Sequence, residues 1–580
     1  MGSTFGGLNT LVRGIYAQQV ALDTVGHNIA NANTEGYSRQ TVNLTTTSTE
    51  NVYGNRGVMQ LGTGVTVESI MRARDTFVDR QMWKETSSLG YGQTMLDTLS
   101  KIEGVFQEPT ATGIQTVLNK FWTSLQTLAT NASDEGARAT VRQRGVELVN
   151  AITHGAQQLT DMAADINSVI DIKVGKINQI TSEIYSLNRQ ICNIEVGGVD
   201  HANDLRDRRD LLVDQLSTIT KVTVNEDKYG NYSIQSAGVT LVDGNGRTVL
   251  RTEPRKDADY GYEVRDVYAA NSTHPMSFTN GELKGLLEAR DQENGIKGYM
   301  NKLNTISQFL LQDFNAVHRA GYGTDNTTGN NFFGDNGVDY STVSPSIGGW
   351  LAAIKVNPAL FDPANGLAKI AAKTLAGNVA VAHSSGNGGT ATVDVTGTYT
   401  ATASTNITVR VTGVTGDHVD AFEYSTDGTT WVAGTTPFVV NGASITFSVA
   451  DSPNNQAGVD TYTFTIPQGN AAGDNAILLG NWLKTEKSSI LGDTSLDNYY
   501  STVIGSLGVQ TQDAERLTDN QKTLVNQIRN WRESTAGVNM DEEMTNMIRF
   551  QKGYNAAARV ITTMDEMLDK LINGTGVVGR

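Results

Sequence analysis

The residues best able to do chemistry are few in this 580-residue chain, and they are scattered along it. A zinc-protease helix needs two histidines four residues apart with a glutamate between them, so that both rings reach one metal ion. No two of the seven histidines, at positions 27, 154, 201, 274, 318, 383 and 418, have that spacing. The Gly-x-Ser-x-Gly turn of serine hydrolases and the phosphate-binding Walker loop are also missing from the sequence. We therefore predict that the chain is not an enzyme and has no metal site and no cofactor.

Three further features could suggest a site, and each has a plainer interpretation. The single cysteine, Cys192, excludes an intrachain disulfide and is interpreted as a small apolar residue on a buried helix face, with cross-linking between copies as the alternative. The glycine-rich stretch 386–389 lacks the helix and the lysine of a phosphate cradle, so we interpret it as a linker. Residues 325–330 carry oxygen ligands without the glutamate that closes a calcium loop, and are predicted to be a polar loop.

Composition excludes several classes of partner. The net charge of −16 and the pI near 5.0 argue against a nucleic-acid binder, which needs a basic face. The sequence has no apolar run approaching the roughly 18 residues needed to cross a bilayer, so no membrane insertion is predicted. Residues 1–11 have neither a basic n-region nor an apolar h-region, and we therefore expect no cleaved signal peptide of the Sec type.

The most regular apolar spacing lies at the two ends of the chain. Near the start, an apolar residue recurs every seventh position at Leu8, Ile15, Leu22 and Ile29. Near the end, the same spacing links Met540, Met547, Tyr554, Ile561 and Leu568. A seven-residue apolar repeat is typical of helices that pack as a coiled coil. We predict a first helix over residues 4–29, paired with a C-terminal helix in one stalk that carries these assembly residues.

Two interpretations of the terminal stripes stay open. They could pair within one chain and need nothing more, or they could pack between copies. The second is favoured because the first helix carries only two charged side chains, Arg13 and Asp23, whereas a solvated helix face normally carries more. None of the nine prolines lies before residue 109 or after residue 467, which permits long helices at both ends.

The interior alternates helical and β-like patterns. Helical periodicity predicts helices over residues 74–107, 114–129, 141–194 and 204–217, and a further helical region from residue 517 to residue 571 with a break at Gly537. The third of these carries its own seven-residue stripe at Ile170, Ile177, Ile184 and Ile191. A capping-box pattern at Thr279 and Glu282 predicts one long helix ending before Gly321. The mixed charges of residues 204–210 suit a solvated face or a salt-bridge network, with a phosphate or partner site as the minority interpretation.

Residues 374–475 are compositionally foreign to the rest of the chain. They contain no lysine, one arginine and eight acidic residues, and alternating patterns predict strands over 407–411, 422–424, 444–449 and 461–466. We predict an inserted, acidic, sandwich-like β domain. Residues 221–249 also alternate with period two and predict β-hairpins.

The predicted fold is therefore multidomain α+β. Terminal helices paired in a coiled-coil stalk use residues 1–60 with 536–580. A helical-bundle domain uses residues 61–220 with 281–320 and 476–535, a β-rich domain uses 221–280 with 321–373, and the all-β insert uses 374–475.

Motifs at both ends carry a resemblance to a known family. Residues 22–34, which include Asn28 and Asn31, resemble the N-terminal motif of the bacterial flagellar rod, hook and hook-associated proteins. The Ser-Arg-Gln extension within residues 36–40 is similar to that of the hook-associated members. Residues 537–544 and 550–561 resemble the tail of the same family, and interior agreement covers 204–212, 281–290 and 356–358. Glu35 stands where the family often has proline, and the insert has no counterpart from which a role could be carried over.

The resemblance implies a structural subunit of the flagellum that joins hook to filament. It implies export through the flagellar type III apparatus to an extracellular position, termini that order on assembly, and three kinds of partner besides the chain itself: the hook protein, a second junction protein or the filament, and a cytoplasmic export chaperone. A chaperone of this family binds the C-terminal region, where Met544, Ile548, Phe550 and Ile561 are the candidate contacts. The alternative is a flagellar surface module whose insert binds a ligand or glycan for adhesion.

Overall fold

The fold combines long helices with several small antiparallel sheets, as the coarse prediction of a mixed helix and sheet architecture requires. The computed structural model describes residues 4–54, 57–106, 113–196, 201–325, 327–343, 345–374, 379, 381–397, 399, 401, 403–466 and 472–574. Residues 107 and 326, which belong to a predicted helix and a predicted loop, lie outside this description.

Two helices close the chain at its ends. Helix α1 spans Thr4–Ala30, one residue longer than the sequence predicts, and the chain then turns at Gly36 with a φ of 81°. Helix α11 spans Met540–Asp569 and continues as a π-helical turn over Lys570–Gly574. The Asn539 side chain caps α11 by accepting hydrogen bonds from the amides of Asp541 and Glu542. The acidic residues of its first turn also suit the positive end of the helix dipole.

Nine further helices form the body of the described chain. They are α2 (Thr76–Phe106), α3 (Ile114–Thr130), α4 (Glu135–Glu195), α5 (Asn203–Ile219), α6 (Glu282–Asp291), α7 (Ile296–Phe309), α8 (Asn315–Ala320), α9 (Asp474–Lys484) and α10 (Leu496–Ala536). The predicted stripe of α4, namely Ile170, Ile177, Ile184 and Ile191, is 0% exposed. This 61-residue helix is therefore the axis of one large apolar core, which we call the main core.

The single helix predicted over residues 279–320 is wrong, because the chain leaves the helical conformation once and later widens into a π-helical turn. It ends at Asp291 and restarts at Ile296, with a tight turn in which a Cβ at Gly295 would lie 2.2 Å from the Ala289 carbonyl oxygen. Between α7 and α8 it forms a π-helical turn over Leu310–Phe314. The capping box is wrong too, since the N-cap of α6 is Gly281, which has a φ of 96° and offers no side-chain cap.

Seventeen strands complete the described secondary structure. They are β1 (Gln40–Thr46), β2 (Glu50–Gly54), β3 (Gly57–Leu61), β4 (Val65–Arg72), β5 (Thr223–Glu226), β6 (Tyr232–Ser236), β7 (Val239–Val242), β8 (Leu250–Lys256), β9 (Glu263–Ala269), β10 (Ala382–His383), β11 (Ala391–Gly397), β12 (Thr405–Thr415), β13 (His418–Ser425), β14 (Val432–Gly434), β15 (Phe438–Val440), β16 (Ala443–Val449) and β17 (Thr461–Ile466).

The N-terminal strands join the stalk to the body. Strand β1 pairs antiparallel with β4, and β2 pairs with β3 as a hairpin between them. The predicted boundary between residues 60 and 61 is therefore misplaced, because it cuts β3 and separates β1 from its partner β4. The cause is that loop-like composition in residues 37–67 gave no sign of which distant segments pair.

The predicted β-rich region shares the main core with the helices. Its first part forms the three-stranded sheet β5-β6-β7 and the pair β8-β9. Ile234 of β6 and Val267 of β9 are buried in the same apolar cluster as Ile177 of α4. The sheets and the bundle are thus covered by one another rather than by separate cores.

The second part of that region, 321–373, is not β-rich in its described residues. It holds three 3-10 helices, Gly349–Ala352, Pro358–Phe361 and Leu367–Lys369, and only isolated bridges such as Phe333 with Val356. Asparagine side chains replace the strand ladder. The buried Asn315 amide accepts from the Phe332 and Phe333 amides at 3.0 Å each and donates to the Phe333 carbonyl at 2.7 Å. These bonds satisfy the buried backbone without a neighbouring strand.

The insert has a core of its own. Its strands form a five-stranded sheet, ordered β10-β17-β12-β13-β14, and a three-stranded sheet, β11-β16-β15. All four segments predicted as strands there lie within observed strands. Both sheets contribute to one apolar cluster that is separate from the main core. The two ends of the insert meet, since the Thr374 amide donates to an Asp474 carboxylate oxygen at 2.9 Å.

Candidate assembly surface

The two terminal helices lie side by side and run antiparallel. Asn28 near the end of α1 contacts Glu543 at the start of α11, with 3.1 Å between Nδ2 and Oε2. Further along, a Cβ at Gly553 would lie 3.0 Å from the Gln18 side chain, and a Cβ at Gly7 would lie 3.2 Å from Met564. Residue numbers thus fall on one helix as they rise on the other.

The face that α1 presents to α11 is built of small side chains. The most buried positions of α1 are Ala17, Ala21, Thr24, Val25 and Asn28. All of these except Val25 follow a spacing of four, three and four residues, which is the spacing of a coiled-coil seam. We call Ala17, Ala21, Thr24 and Asn28, together with Gly7 and Gly14 in the same spacing, the small-residue seam. A Cβ at Gly7 would touch Met564, whereas a Cβ at Gly14 would have no atom within 4 Å. Small side chains let two helix axes approach closely, because no bulky group holds them apart.

The structure places the predicted assembly residues in three environments. Leu8, Ile15, Leu22 and Ile29 are half-buried, and each lies one position beyond a residue of the small-residue seam. On α11, Met547, Tyr554, Ile561 and Leu568 are half-buried, whereas Met540 is exposed. Asn28 is buried, and Asn31 ends α1 with its side chain donating to the His27 carbonyl at 3.0 Å.

Much apolar surface of the helix pair stays uncovered. On α1, Val12 is 51% exposed and Tyr16 is also exposed. On α11, Ile548 is 57% exposed, and Met544, Val560 and Met567 are exposed as well. Among the predicted chaperone contacts, Met544 and Ile548 therefore face solvent, whereas Phe550 and Ile561 are half-buried.

A buried polar cluster joins the helix pair to the segment that follows α1. The Asn28 side chain accepts from the Gln40 amide at 2.9 Å and from the Tyr37 hydroxyl at 2.7 Å, and donates to the Gln40 carbonyl at 2.9 Å. Arg39 donates from Nε to Glu543 at 2.7 Å. Its backbone amide donates to the Ala536 carbonyl at 2.8 Å. Both ends of the chain are thus held at one point.

The same cluster continues into the body through α5. Asp207 accepts from the Ser38 amide at 2.9 Å and from Arg72 at 2.7 Å. Asp210 accepts from Arg72 at 2.8 Å and lies 3.2 Å from Arg74. The charged stretch 204–210 therefore forms a salt-bridge network, and much of it is buried rather than solvated. We call residues 28, 37–40, 72, 74, 204, 207, 210 and 543 the polar joint.

Burial and charge set the protonation of the polar joint. Burial by itself would raise the pKa of Asp210, but Arg74 and Arg72 more than offset it, and the pKa is lowered. Burial raises the pKa of Tyr37, and the nearby Asp204 and Asp207 add to the effect. The aspartate therefore stays ionised and the tyrosine stays neutral at neutral pH.

Sequence reasoning missed part of this arrangement. It named Asn28 and the charged stretch 204–210, but not Arg72, Arg74 or Glu543 as their partners. The only available signal was a pair of arginines at the end of a β-like stretch, and nothing in the spacing pointed to α5. The small-residue seam gives no strong signal in the sequence, because a heptad repeat is recognised from large apolar side chains.

Two other kinds of site receive no support from the described residues. In the described part of the chain, no helix is both long enough and apolar enough to span a bilayer. The same residues contain no group of three or more histidine, cysteine, aspartate or glutamate side chains placed to hold a metal ion.

Known protein families match both ends and the middle of the chain. Residues 99–333 match the family described as the flagellar hook-associated protein FlgK helical domain. Residues 8–37 match the flagella basal body rod protein family, and residues 533–574 match the flagellar basal body rod FlgEFG protein C-terminal family. The last two matches cover most of α1, all of α11, and residues 28, 37 and 543 of the polar joint.

Full-length relatives agree with the domain matches. The chain is 32% identical to flagellar hook-associated protein 1 of Bacillus subtilis (strain 168), with 100% of both chains covered. It is 28% identical to flagellar hook-associated protein 1 of Salmonella typhimurium, covering 98% of this chain and 99% of that one, and equally identical to that of Escherichia coli (strain K12). The solved flagellar hook junction protein FlgK from Burkholderia pseudomallei, 22% identical with a TM-score of 0.56, covers 79% of this chain and 100% of that chain and shares the fold. The chain belongs to the flagellar hook-associated protein 1 family.

Proposed function

We propose that this protein is a structural subunit of the bacterial flagellum that joins hook to filament by self-assembly through α1 and α11. The family is structural and not enzymatic. The names of the relatives, hook-associated protein 1 and hook junction protein, support this role. The hook protein lies on one side of such a junction, and a second junction protein or the filament on the other.

The observation that carries the proposal is the uncovered apolar surface of the terminal helices. The small-residue seam buries only one side of α1, and Val12, Tyr16 and the outer side chains of α11 stay exposed. Burying a large apolar side chain is worth roughly 1.5–3 kcal/mol, so several such residues per copy favour association. Exposed apolar patches of this kind mark interaction sites in soluble proteins.

Assembly then follows from repeated contacts between unlike faces. In our proposal the two helices coil around each other within a copy, and neighbouring copies cover their outer faces. Contacts between unlike faces repeat around an axis and yield rings or helical tubes. The terminal helices order fully only when neighbours supply this cover, because a nearly uncharged helix is marginal alone in water.

Export and chaperoning fit the same surfaces. We infer passage through the flagellar type III apparatus, which requires terminal helices that are unpaired while the chain is being exported. A chaperone that contacts Met544, Ile548, Phe550 and Ile561 would cover both the exposed face of α11 and part of its face toward α1. It would therefore compete with α1 and delay pairing until export.

Charge substitutions on the exposed faces test assembly directly. Val12→Asp and Ile548→Asp leave the isolated chain folded because both side chains face solvent, but place a charge in the proposed interface, where burial is costly. We expect both variants to be lost from isolated flagella on immunoblots and to abolish swimming in soft agar.

Ile172→Asp is the matched control. Ile172 is 69% exposed on α4 in the body, so it receives the same charge on a comparably open apolar side chain. This variant is expected to assemble normally. Normal incorporation of all three variants would remove the terminal helices from the assembly surface.

The insert supports a second, separable function. Its separate core, its acidic composition and the meeting of its two ends at Thr374 and Asp474 suit a sandwich-like module mounted on the body. We infer that it faces outward and that surface binding or adhesion is its alternative role. Deleting residues 375–473 and rejoining the ends separates the roles: intact swimming with lost adhesion supports binding, whereas lost swimming with a folded body ties the insert to assembly.

A further inference from the structure

The small-residue seam ends in one strongly polar residue, Asn28, and Glu543 of α11 lies against it. Asn28 and Glu543 are each 1% exposed, although the rest of the seam is apolar or carries a hydroxyl. Thr24, the nearest other polar residue of the seam, bonds within its own helix to the Val20 carbonyl at 2.9 Å. The Asn28–Glu543 contact is therefore a hydrogen bond across the seam.

Each side-chain oxygen and nitrogen of Asn28 and Glu543 has a hydrogen-bond partner. Glu543 Oε2 accepts from Asn28 and Oε1 accepts from Arg39 Nε, while Asn28 bonds both backbone groups of Gln40. Arg39 also reaches Glu542 at 3.0 Å. Its backbone joins the end of α10 through the Ala536 carbonyl and the end of β4 through the Ala73 amide, each at 2.8 Å.

A buried charge pair of this kind contributes little net stability, because removing both partners from water costs about as much as their attraction returns. Its better-attested effect is on register, as with one buried asparagine in a coiled coil. The seam by itself does not fix the register. Gly7, Gly14 and Ala21 repeat every seven residues, so a slip of one heptad would still set small side chains against α11.

A slip would, however, disrupt the polar contact. Moving α11 by seven residues would set Glu543 against Ala21, away from Asn28 and Arg39, and would bury a carboxylate without a partner. A slip in the other direction would place Glu543 beyond the end of α1 and would leave Asn28 and Arg39 without this carboxylate.

We propose that Asn28, Arg39 and Glu543 form a register lock, which permits one antiparallel alignment of α1 on α11 and ties that alignment to the body. Every copy then presents the same outer face at the same height above the body, as a repeating assembly requires. The lock concerns the chain's own pairing and rests on the proposed function only where its test uses flagella.

Disulfide formation between cysteines placed on α1 and α11 measures the register in which the two helices pair. In a Cys192→Ala background, the pair Gln18→Cys with Gly553→Cys reports the observed register, since these positions are in contact. Gln18→Cys with Asn546→Cys or with Val560→Cys reports a slip of seven residues in either direction. We expect the native pair to cross-link at least about tenfold faster than either slipped pair, both in the purified chain and in isolated flagella.

The double variant Asn28→Leu/Glu543→Met removes the lock while keeping the seam apolar. We expect helical content by circular dichroism to be unchanged and the preference for the native pair to fall below about threefold. Glu543→Gln alone keeps one acceptor oxygen but sets its NH2 group against the second donor, so its preference should lie between those of the parent and the double variant. Thr24→Val, which removes a polar group with no partner on α11, should leave it unchanged.

Two results would overturn the lock. One is a double variant as selective as the parent, and the other is a parent chain that cross-links no better at the native pair than at the slipped ones. Neither result bears on the assembly test, which scores incorporation of chains with an intact lock. A lock that holds in chains that fail to assemble would overturn the proposed function alone.

Discussion

Helix α4 and the terminal helices carry the same seven-residue apolar spacing and put it to different use. The four isoleucines of the α4 stripe are 0% exposed, because strands, helices and loops of the same chain surround that helix. The stripe of α1 lies half-buried beside the seam, and α11 leaves Met540 and Ile548 exposed.

The difference teaches that a heptad pattern fixes where apolar side chains lie, but not what covers them. Both stripes are strong enough to predict a helix, and both helices form. Whether the cover comes from the same chain depends on how many other elements the topology brings alongside. For α4 it brings several, whereas α1 meets one helix and the β1/β4 pair.

The largest effect expected from this comparison is on stability. Ile177→Ala should cost the main core about 3–4 kcal/mol through lost burial and a cavity, whereas Ile548→Ala should change the stability of the isolated chain by less than about 0.5 kcal/mol. Hydrogen exchange of α4 amides measures the first, and exchange of α11 amides the second. Equal costs at the two sites would mean that α11 is as well covered as α4 in the single chain.

A buried histidine should make the stability of the body depend on pH, while that of the terminal helices does not. His318 is fully buried in the body, donates from Nδ1 to the Asn330 carbonyl at 2.7 Å and accepts from the Ala371 amide at 3.0 Å, so it is held neutral. Burial, with Arg138 nearby, lowers its pKa to about 4. The unfolded chain therefore takes up the proton first as pH falls below about 6.5, and stability is lost progressively down to about pH 4.

The free energy of unfolding should fall by about 3 kcal/mol over this pH range. The fall should be confined to the body, because His318 lies in α8 and not in the terminal helices. Exchange of α7 and α8 amides, corrected for intrinsic rates, measures it between pH 7 and pH 4. In a His318→Gln variant this part of the pH dependence should disappear. A parent and variant with parallel pH profiles would show that the ring is not held neutral.

The smallest expected effect compares two helix caps. Asp134 caps α4 by accepting from the Gly136 amide, as Asn539 caps α11. Replacing either by alanine should cost about 1 kcal/mol locally. In Asp134→Ala the loss should appear across the body, because α4 is its axis. In Asn539→Ala, faster exchange should stay within the first turns of α11, and an effect spreading to α4 would contradict the separation of the two regions.

Much of the fold could be predicted where local pattern and final environment agree. The ends of α1 and α3, the buried stripe of α4 and the strands of the insert follow from periodicity, because each element buries the side that its sequence makes apolar. The long helix over 279–320 could not be predicted in its details. Its break depends on the close approach of Gly295 to the Ala289 carbonyl in the turn between α6 and α7, which the periodicity of apolar residues does not record.

The candidate site was predictable in its motifs but not in its geometry. Asn28 stands out in the sequence, yet its partner Glu543 lies 515 positions away. Arg72 and Arg74 join the polar joint only because β1 and β4 pair. The absence of strands from the described part of 321–373 has a similar cause, since asparagine side chains bond the backbone across distances in sequence that no local pattern records.

The meeting of Thr374 and Asp474 has a consequence for how the insert could diversify. Because a folded unit whose ends coincide adds little strain to its host, the residues between them can be exchanged or lengthened with little effect on the fold of the body. The same junction is a place to graft a foreign antigen or enzyme without altering any residue of the terminal helices.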